Sequence, residues 1–426
     1  MGVGMVTPVN RRTVLLAAGA GAAAGLSLPV TAARAHGRTG AKVGFTLNAR
    51  VLDGGEQIVS ITLGATRLGP IDPASLTTGT FAVHARATSP IPIAEGDQIF
   101  SEYDVDRPVT AIRLDRRGDI VLDLAYGEGQ VGGGTLGYIL SRGRNVRLDL
   151  AYTITQTAPI RRRDGRPVSI ASFVQGKLLN PEVDAFSHHV SRSGMKYRLY
   201  TPDRRGAHGP RPVVVWLHGG GEGASLRDDY YDNETTLRAN RGALGFATPE
   251  AQRIFSGAYV VVPQSTSFWM EDGSRFAPLI REIVAEVARR HPVDERRVHV
   301  AGCSNGGYMS LKMTTVYPRL FASSVPVCGI VASLTPGGPQ LITDAELAGI
   351  TTPTWLITSR DDPTVPPEPN TIHAHDLIPR SLMTLYDQVV WNGHRFNGHW
   401  SWIYLARNDP SSNGTRVWQW MAARRR

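Results

Sequence analysis

Residues 297–308 read Arg-Val-His-Val-Ala-Gly-Cys-Ser-Asn-Gly-Gly-Tyr, an apolar strand-like run, then the pattern Gly-x-Ser-x-Gly over 302–306, then the start of a helix-like stretch. A serine exposed at the top of a sheet requires a sharp, strained strand-to-helix turn with little room beside it. Gly302 and Gly306 supply that room. The helix N-terminus adds backbone N–H groups that favour a developing oxyanion. The stretch therefore predicts Ser304 as a nucleophile.

Beyond residue 165 the chain alternates strand-like and helix-like segments. Residues 280–290 have helical periodicity, and continuous apolar runs of strand length lie on both sides of them. These runs are 213–217, 259–262, 297–301, 324–327 and 354–358. Such alternation predicts an α/β fold, a mostly parallel sheet with helices on both faces. Ligands of these sheets bind beyond the carboxyl ends of the strands, so we expect the functional residues there.

The first of these strand ends carries a glycine-rich loop. Residues 218–223 read His-Gly-Gly-Gly-Glu-Gly. Such a loop completes an oxyanion hole, because its backbone N–H groups act together with the N–H after the nucleophile. Gly219, Gly220 and Asn305 are the predicted donors. The loop lacks the Gly-Lys-Ser/Thr ending that would hold a nucleotide phosphate.

A later strand end carries two acids, Asp361 and Asp362, and either can orient a histidine. The base must follow the acid, since this fold orders its triad serine, acid, histidine. The tripeptide Asn-Gly-His occurs twice near the carboxyl terminus, ending at His394 and at His399. From the residues alone both acids and both histidines stay open. His373 and His375 also follow the acids, but both precede the last strand-like run.

Residues 40–157 have a different pattern. Apolar residues alternate with polar or small ones, turn signals separate the runs, and no amphipathic helix is evident. Period-two patterning predicts strands with one buried face, so we expect a small antiparallel β-sandwich. We place a linker at about 159–167. This part lacks a convergent set of catalytic residue types, so we expect it to serve packing, assembly of a homo-oligomer or access of large substrates.

The N-terminal residues 1–35 have the features of an export signal. Arg11 and Arg12 precede a weakly apolar tract, and an Ala-x-Ala site ends at Ala35. The segment resembles a bacterial twin-arginine signal, which predicts export of the folded protein, cleavage after Ala35 and no stable membrane anchor.

Composition narrows the class of protein. The chain has 426 residues, enough for two domains and a short extra segment, with 42% hydrophobic and 19% charged residues. The formal net charge of +9 comes from scattered basic residues, so we expect no nucleic-acid partner.

The two cysteines, Cys303 and Cys328, are predicted to lie at the carboxyl ends of adjacent parallel strands. A disulfide between them and two buried free thiols are both open. Neither cysteine has metal-ligand spacing, so we expect no metal and no cofactor. Among the aromatic residues, Trp269 and Trp400 are candidates for lining a substrate pocket or for ordinary core, whereas Trp402 is expected to be core.

Several motifs in this order carry a specific resemblance. Residues 211–423 resemble bacterial α/β-hydrolase esterases grouped with polyhydroxybutyrate-depolymerase-like and prolyl-oligopeptidase-like hydrolases. Residues 40–157 resemble the immunoglobulin-like N-terminal domain of a subset of these esterases. The matching catalytic segments are 215–223, 246–250, 302–308, 362–367 and 398–404.

The resemblance implies Asp362 as the acid and His399 as the base, with the catalytic domain over 165–426. It also implies a secreted serine esterase that works through an acyl-enzyme. Hydroxyalkanoate polyesters, feruloyl esters and peptides are alternative substrates, because one triad serves all of them. A catalytically silent hydrolase scaffold that only binds its partner is the non-enzyme alternative.

Overall fold

A layer of β-structure comes first along the chain, and a sheet interleaved with helices follows it. The computed structural model describes residues 40–203, 209–224, 230–333 and 335–426. The predicted export signal lies outside these residues. In the described part, no helix has both the length and the apolar character needed to cross a membrane.

The strands are β1 (Ala41–Leu52), β2 (Gly55–Leu63), β3 (Phe81–Thr88), β4 (Ile99–Phe100), β5 (Tyr103–Asp106), β6 (Val109–Leu114), β7 (Ile120–Leu124), β8 (Leu136–Ile139), β9 (Arg144–Arg147), β10 (Asp149–Gln156), β11 (Ile160–Arg161), β12 (Pro167–Val168), β13 (Ile170–Leu179), β14 (Phe186–Val190), β15 (Lys196–Tyr200), β16 (Arg211–Leu217), β17 (Tyr259–Pro263), β18 (Val293–Cys303), β19 (Ser323–Val327), β20 (Trp355–Ser359), β21 (Leu382–Tyr386), β22 (Val390–Trp391), β23 (His394–Arg395), β24 (Ser411–Ser412) and β25 (Thr415–Arg416).

The α-helices are α1 (Pro181–Asp184), α2 (Thr235–Arg238), α3 (Gly242–Phe246), α4 (Pro249–Ile254), α5 (Gly273–Arg290), α6 (Asn305–Val316), α7 (Asp344–Ala348), α8 (His373–Leu377), α9 (Trp402–Ala406) and α10 (Val417–Ala422).

Strands β1 to β13 form a β-sandwich. Its sheets have the strand orders β13-β1-β2-β7-β6, β10-β3-β5 and β4-β8-β9. Alternate residues of β1 and β3 are buried, and their side chains meet in one apolar core with those of β2, β7 and β10. The period-two pattern therefore produced strands with one buried face.

This sandwich extends further along the chain than residue 157, where the sequence pattern placed its end. Strand β13 pairs with β1 in parallel, and the Gln175 side chain bonds the backbone of Leu150 and Tyr152. The segment predicted to be a linker forms the β11–β12 hairpin instead. The arginine-rich run over 161–166 interrupts the apolar pattern, but its first residue, Arg161, still belongs to β11 and the turn of the hairpin follows it.

The second part is an eight-stranded sheet with the order β14-β15-β17-β16-β18-β19-β20-β21. Strands β14 and β15 lie at one edge and pair in antiparallel orientation. The other six strands, β16 to β21, pair with one another in parallel. All seven residues of β16 are buried. Val213 and Val215 belong to the core beneath α5 and α6, whereas Val214 and Trp216 belong to the core beneath α3, α4 and α10. Because both faces are covered, these strands are continuously apolar.

The parallel strands β16, β18, β19 and β20 all end at the same edge of the sheet. The segments that leave these four ends begin at His218, Ser304, Cys328 and Arg360. The glycine loop, the elbow serine, Cys328 and the two acids therefore lie at or just beyond one edge, which is where doubly covered sheets bind their ligands.

A buried ion pair joins the sandwich to the second part. The side chain of Glu56 on β2 is fully buried, and it pairs with the side chain of Arg238 on α2, which is 4% exposed. Glu56 also accepts hydrogen bonds from Asn180 Nδ2 and Thr135 Oγ1, both at 2.6 Å. Since a buried charge is costly without partners, these contacts fix how the two parts meet.

We expect Glu56→Ala to lower the free energy of unfolding by about 3 kcal/mol, because it removes one of the two carboxylates that pair with the buried Arg238 guanidinium and leaves only Glu234. Asp123→Ala is the matched control, since Asp123 pairs with Arg113 at 3.3 Å where both side chains are at least one-third exposed. That exposed pair should be worth about 0.5 kcal/mol or less. Urea unfolding measures both, and equal losses would contradict this account of the joint.

Candidate active site

Ser304 lies on a strained turn between β18 and α6. Its backbone has φ 55° and ψ −118°, a conformation that a residue with a side chain adopts only when the surroundings impose it. Its N–H donates to the carbonyl of Val327 on the neighbouring strand at 2.8 Å. This bond holds the turn against β19, and the serine is only partly buried.

The glycines of the elbow are required by close backbone contact. A Cβ on Gly302 would lie 2.6 Å from the carbonyl oxygen of Leu217, and one on Gly306 would lie 2.5 Å from that of His218. These separations are too short for any side chain. The end of β16 therefore touches the elbow directly, and the loop that follows β16 begins beside Ser304.

Asp362 and His399 meet at the same edge of the sheet. His399 Nδ1 and Asp362 Oδ2 are 2.8 Å apart, and both residues are buried. The other carboxylate oxygen of Asp362 accepts the N–H groups of Thr364 and Val365, each at 2.8 Å. The carboxylate is thus fixed in place before it orients the imidazole.

The neighbouring acid has other partners. Asp361 accepts a hydrogen bond from Ser359 Oγ and pairs with Arg395 at 3.2 Å. The two acids lie in the turn that follows β20, where the Asp362 N–H lies 3.3 Å from the Ser359 carbonyl. In this turn it is the Asp362 side chain that faces the imidazole.

The remaining histidine candidates lie apart from this pair. His394 is exposed on β23, where its ring packs against Phe396 with centroids 4.6 Å apart. His373 Nε2 lies 2.8 Å from Asp344 Oδ1.

Cys303 and Cys328 are free thiols, so the disulfide considered from the sequence is not formed. Both are buried, but their side chains have different neighbours. Cys303 Sγ lies against Gly219, 3.5 Å from where a Cβ of that glycine would be, whereas Cys328 Sγ lies within 4.8 Å of a ring nitrogen of His399. Adjacent strand ends bring the two backbones together without aligning the sulfur atoms.

The surroundings of His399 favour its protonated form. Burial lowers its pKa, but the contacts with Cys328 and with the Asp362 carboxylate outweigh burial and raise the pKa to about 10. One atom from each of the three side chains lies within 4.8 Å of the others. Sequence reasoning missed the contact between Cys328 and His399, because no local pattern links a residue after β19 to a histidine 71 positions later.

The loop after β16 is built around a buried neutral histidine. His218 Nδ1–H donates to the Gly219 carbonyl at 2.6 Å, and Nε2 accepts the Ser265 N–H at 3.1 Å. These partners require the Nδ1-protonated neutral form. Burial lowers the pKa of His218 to about 4, which keeps it neutral at physiological pH.

The predicted oxyanion donors adjoin one another. A Cβ on Gly220 would lie 4.0 Å from Asn305 Nδ2 and 2.9 Å from the ring of Phe268. Asn305 begins α6, so its N–H has no acceptor within the helix. The Gly219 N–H instead bonds the Glu222 carboxylate, which leaves Gly220 and Asn305 as the better placed pair.

Trp269 supports this loop from below. Its side chain is fully buried, and Nε1 donates to the His218 carbonyl at 3.1 Å. The next residue, Met270, donates its N–H to Asn305 Oδ1 at 3.0 Å. The short turn at 269–271 thus contacts both of the segments that carry the predicted oxyanion donors. The suggestion that Trp269 lines a substrate pocket is wrong for this conformation, because none of its surface is accessible.

Trp400 follows the histidine and keeps part of its ring accessible. It packs against Phe396 and Trp402, with ring centroids 6.0 Å away in each case. Its Cζ3 lies 3.6 Å from where a Cβ of Gly54 would be, so the ring also touches the β1–β2 turn of the sandwich. Trp402 is partly buried and packs against the core beneath α3, α4 and α10, edge-on to His399.

Glu222 is a second buried acid that sequence reasoning overlooked. Burial raises the pKa of Glu222 to about 7, although the Gly219 N–H and the nearby His399 both act to lower it. Its Oε2 has no hydrogen-bond partner in the structure. A lone acid inside a run of glycines is the signal that marks it in the sequence.

Comparisons with known proteins agree with this architecture. A family model described as the prolyl oligopeptidase family matches residues 278–337, which include the elbow. Poly(3-hydroxyalkanoate) depolymerase C of Paucimonas lemoignei is 33% identical over 84 residues, which are 17% of this chain and 20% of that protein. The match thus spans about a fifth of that relative's length.

A solved structure titled as a thermostable esterase superimposes with a TM-score of 0.69 at 22% identity. It covers 90% of this chain and 99% of the other. Residues 165–426 alone cannot account for 90% of this chain, so the match also includes the β-sandwich that precedes them. At this identity the likeness shows a common fold.

We expect Asp362→Asn to lower the pKa of His399, because the neutral amide no longer favours the imidazolium. Asp361→Asn is the control and should leave the pKa nearly unchanged, since Asp361 pairs with Arg395. Histidine-selective NMR titration of the two variants measures the effect. A larger shift in the Asp361 variant would reverse the assignment of the acid.

Proposed function

The chain is a serine hydrolase of the α/β-hydrolase type, and from that premise we propose that it hydrolyses carboxylic esters through Ser304, His399 and Asp362. The observation that carries the proposal is the buried His399–Asp362 pair, joined at 2.8 Å, at the sheet edge that also bears the strained serine. Ser304 bonds Val327, and the next residue, Cys328, contacts His399, so the serine and the imidazole share one neighbouring strand end.

In the proposed mechanism His399 acts first as a base. The Asp362 carboxylate holds Nδ1–H, which leaves Nε2 to take the proton of Ser304 while its Oγ attacks the ester carbonyl. The Gly220 and Asn305 N–H groups receive the oxyanion. Collapse releases the alcohol, which takes the proton from His399. Water then attacks the acyl-enzyme by the same route, releasing the acid and restoring Ser304.

The intact machinery favours an enzyme over a silent scaffold. A serine at φ 55° is strained, and such strain persists where the surroundings impose it for a purpose. The carboxylate is fully bonded and the oxyanion loop is held from below by Trp269. A protein that only bound a partner would have no use for this arrangement.

Polyesters of hydroxyalkanoates are the second candidate substrate. The likeness to the Paucimonas lemoignei depolymerase over 84 residues supports it. Feruloyl esters and peptides share the same triad chemistry. A panel of p-nitrophenyl esters, hydroxyalkanoate oligomers, feruloyl esters and peptides separates these substrate types. We also propose that the enzyme works outside the cytoplasm, on the strength of the twin-arginine segment, and that the β-layer is where copies of the chain would assemble.

We expect Ser304→Ala to retain the fold and to lose p-nitrophenyl acetate hydrolysis by about 10⁴-fold or more, because the nucleophile is gone. His399→Ala should cause a comparable loss. His394→Ala is its matched control and should retain turnover within about twofold, since that side chain is exposed on β23. Steady-state kinetics test all three. Full turnover by the Ser304 variant would refute the mechanism, and a loss confined to the His394 variant would reassign the base.

We expect kcat/KM to rise with pH from neutral into the alkaline range. The pKa of His399 is raised to about 10, and the imidazolium that dominates below this pKa cannot accept a proton from Ser304. Cys328→Ala should move the rising limb to lower pH, because Cys328 is one of the contacts that raise the pKa. Cys303→Ala should not, since Cys303 is not among the groups that shift His399. A limb that stays in place in the Cys328 variant would contradict this view.

A further inference from the structure

A hairpin of the β-sandwich lies directly on the glycine loop of the active site. Asn145 on β9 donates its Nδ2 hydrogen to the Gly221 carbonyl at 3.0 Å. The ring of Tyr138 on β8 covers the same glycine, with Cε2 3.6 Å from where its Cβ would be. The ring of Phe268 fills the space between Gly220 and Gly143 of the hairpin turn, 2.9 and 3.4 Å from their Cβ positions.

The hairpin is itself held firmly by the second part of the chain. Arg147 at the end of β9 pairs with Glu234 at 2.7 Å, and its N–H donates to the Tyr230 hydroxyl. The guanidinium of Arg144 lies over the Tyr230 ring, 5.1 Å from its centroid. Asn145 lies between these two arginines. These contacts therefore hold the Asn145 amide in a fixed position against the glycine loop.

The glycine loop needs such an external contact. Three consecutive glycines have no side chains to restrict their backbone, so the loop loses more conformational entropy on ordering than any other tripeptide. The internal bonds of the turn, from Glu222 N–H to Gly219 O and from Gly223 N–H to Gly220 O, are long at 3.4 Å. The bond from Asn145 is shorter and comes from a rigid element.

We propose that Asn145 is a positioning residue of the oxyanion hole: by holding the Gly221 carbonyl, it aims the Gly220 N–H at the oxyanion. The inference rests on the proposed ester hydrolysis, because it concerns the loop that would stabilise the tetrahedral intermediate. It assigns the sandwich a part in the chemistry, where the sequence indicated a role in assembly or access.

Two variants of the full chain test the proposal. Asn145→Ala removes the amide, and Asn145→Asp keeps its shape but replaces the donor with a carboxylate oxygen. We expect kcat/KM for p-nitrophenyl acetate to fall about 10- to 100-fold in both, because a displaced donor stabilises the oxyanion poorly. The pH of the alkaline limb should not move. Leu140→Ala is the control, since Leu140 is 53% exposed at the tip of the same hairpin.

A pair of ketone inhibitors separates positioning from general damage. A trifluoromethyl ketone adds to Ser304 and forms an oxyanion, whereas the matching methyl ketone binds mainly without addition. We expect the Asn145 variants to lose affinity for the trifluoromethyl ketone by the same factor as kcat/KM and to bind the methyl ketone as the parent does. Circular dichroism and thermal melting confirm that the variants fold.

Three results would overturn the proposal. Turnover and trifluoromethyl ketone affinity within twofold of the parent in both variants would show that Asn145 does not aim the donor. An equal loss of affinity for both ketones would show a damaged pocket. In each of these cases the parent remains active, so the proposed function stands. A parent chain without turnover on any ester would remove both the function and the positioning role.

Discussion

The contact between the end of β16 and the elbow is the constraint on which the site depends. No Cβ fits at Gly302 or Gly306, because the carbonyl groups of Leu217 and His218 lie where it would be. This contact lets α6 begin immediately after Ser304, and it places the loop after β16 beside the new helix N-terminus. The proposed nucleophile and the proposed oxyanion donors are therefore positioned by the same backbone contact, and neither can shift without the other.

Around that contact, burial decides which groups carry charge. His218 is neutral because burial disfavours its charged form and both ring nitrogens have partners suited to the neutral ring. His399 is also buried, yet Asp362 and Cys328 favour its charged form. The two buried histidines thus have opposite tendencies, and only His399 is suited to holding a proton during turnover.

Local patterns in the sequence predicted most of the architecture. The Gly-x-Ser-x-Gly turn, the buried parallel strands and the alternating strands of the sandwich all depend on residues close in sequence, and the structure contains them. The choice between Asp361 and Asp362 depends on which side chain of the turn after β20 faces His399, and the residues alone left it open. Three other features depend on contacts between segments that are distant in the sequence, and the periodicity of apolar residues carries no information about such contacts. They are the free thiols, the buried position of Trp269 and the pairing of β13 with β1.

The same limit explains why the sandwich was assigned no part in the chemistry. Asn145 belongs to no motif, and its contact with Gly221 spans 76 positions. The loop that bears His399 is contacted as well, since Trp400 lies against Gly54 and Arg407 pairs with Asp53 at 2.8 Å. The β-layer therefore touches both loops that flank Ser304, and the site is shared between the two parts of the chain.

Covalent labelling tests the central claim most directly. A fluorophosphonate reacts with a serine only when a base activates it and an oxyanion hole accepts the phosphonyl oxygen. After reaction of the folded chain, peptide mass spectrometry locates the adduct. The account predicts a single adduct on Ser304, formed far more slowly in His399→Ala. An adduct on another serine or on Cys328, or labelling of Ser304 at the same rate without His399, would contradict it.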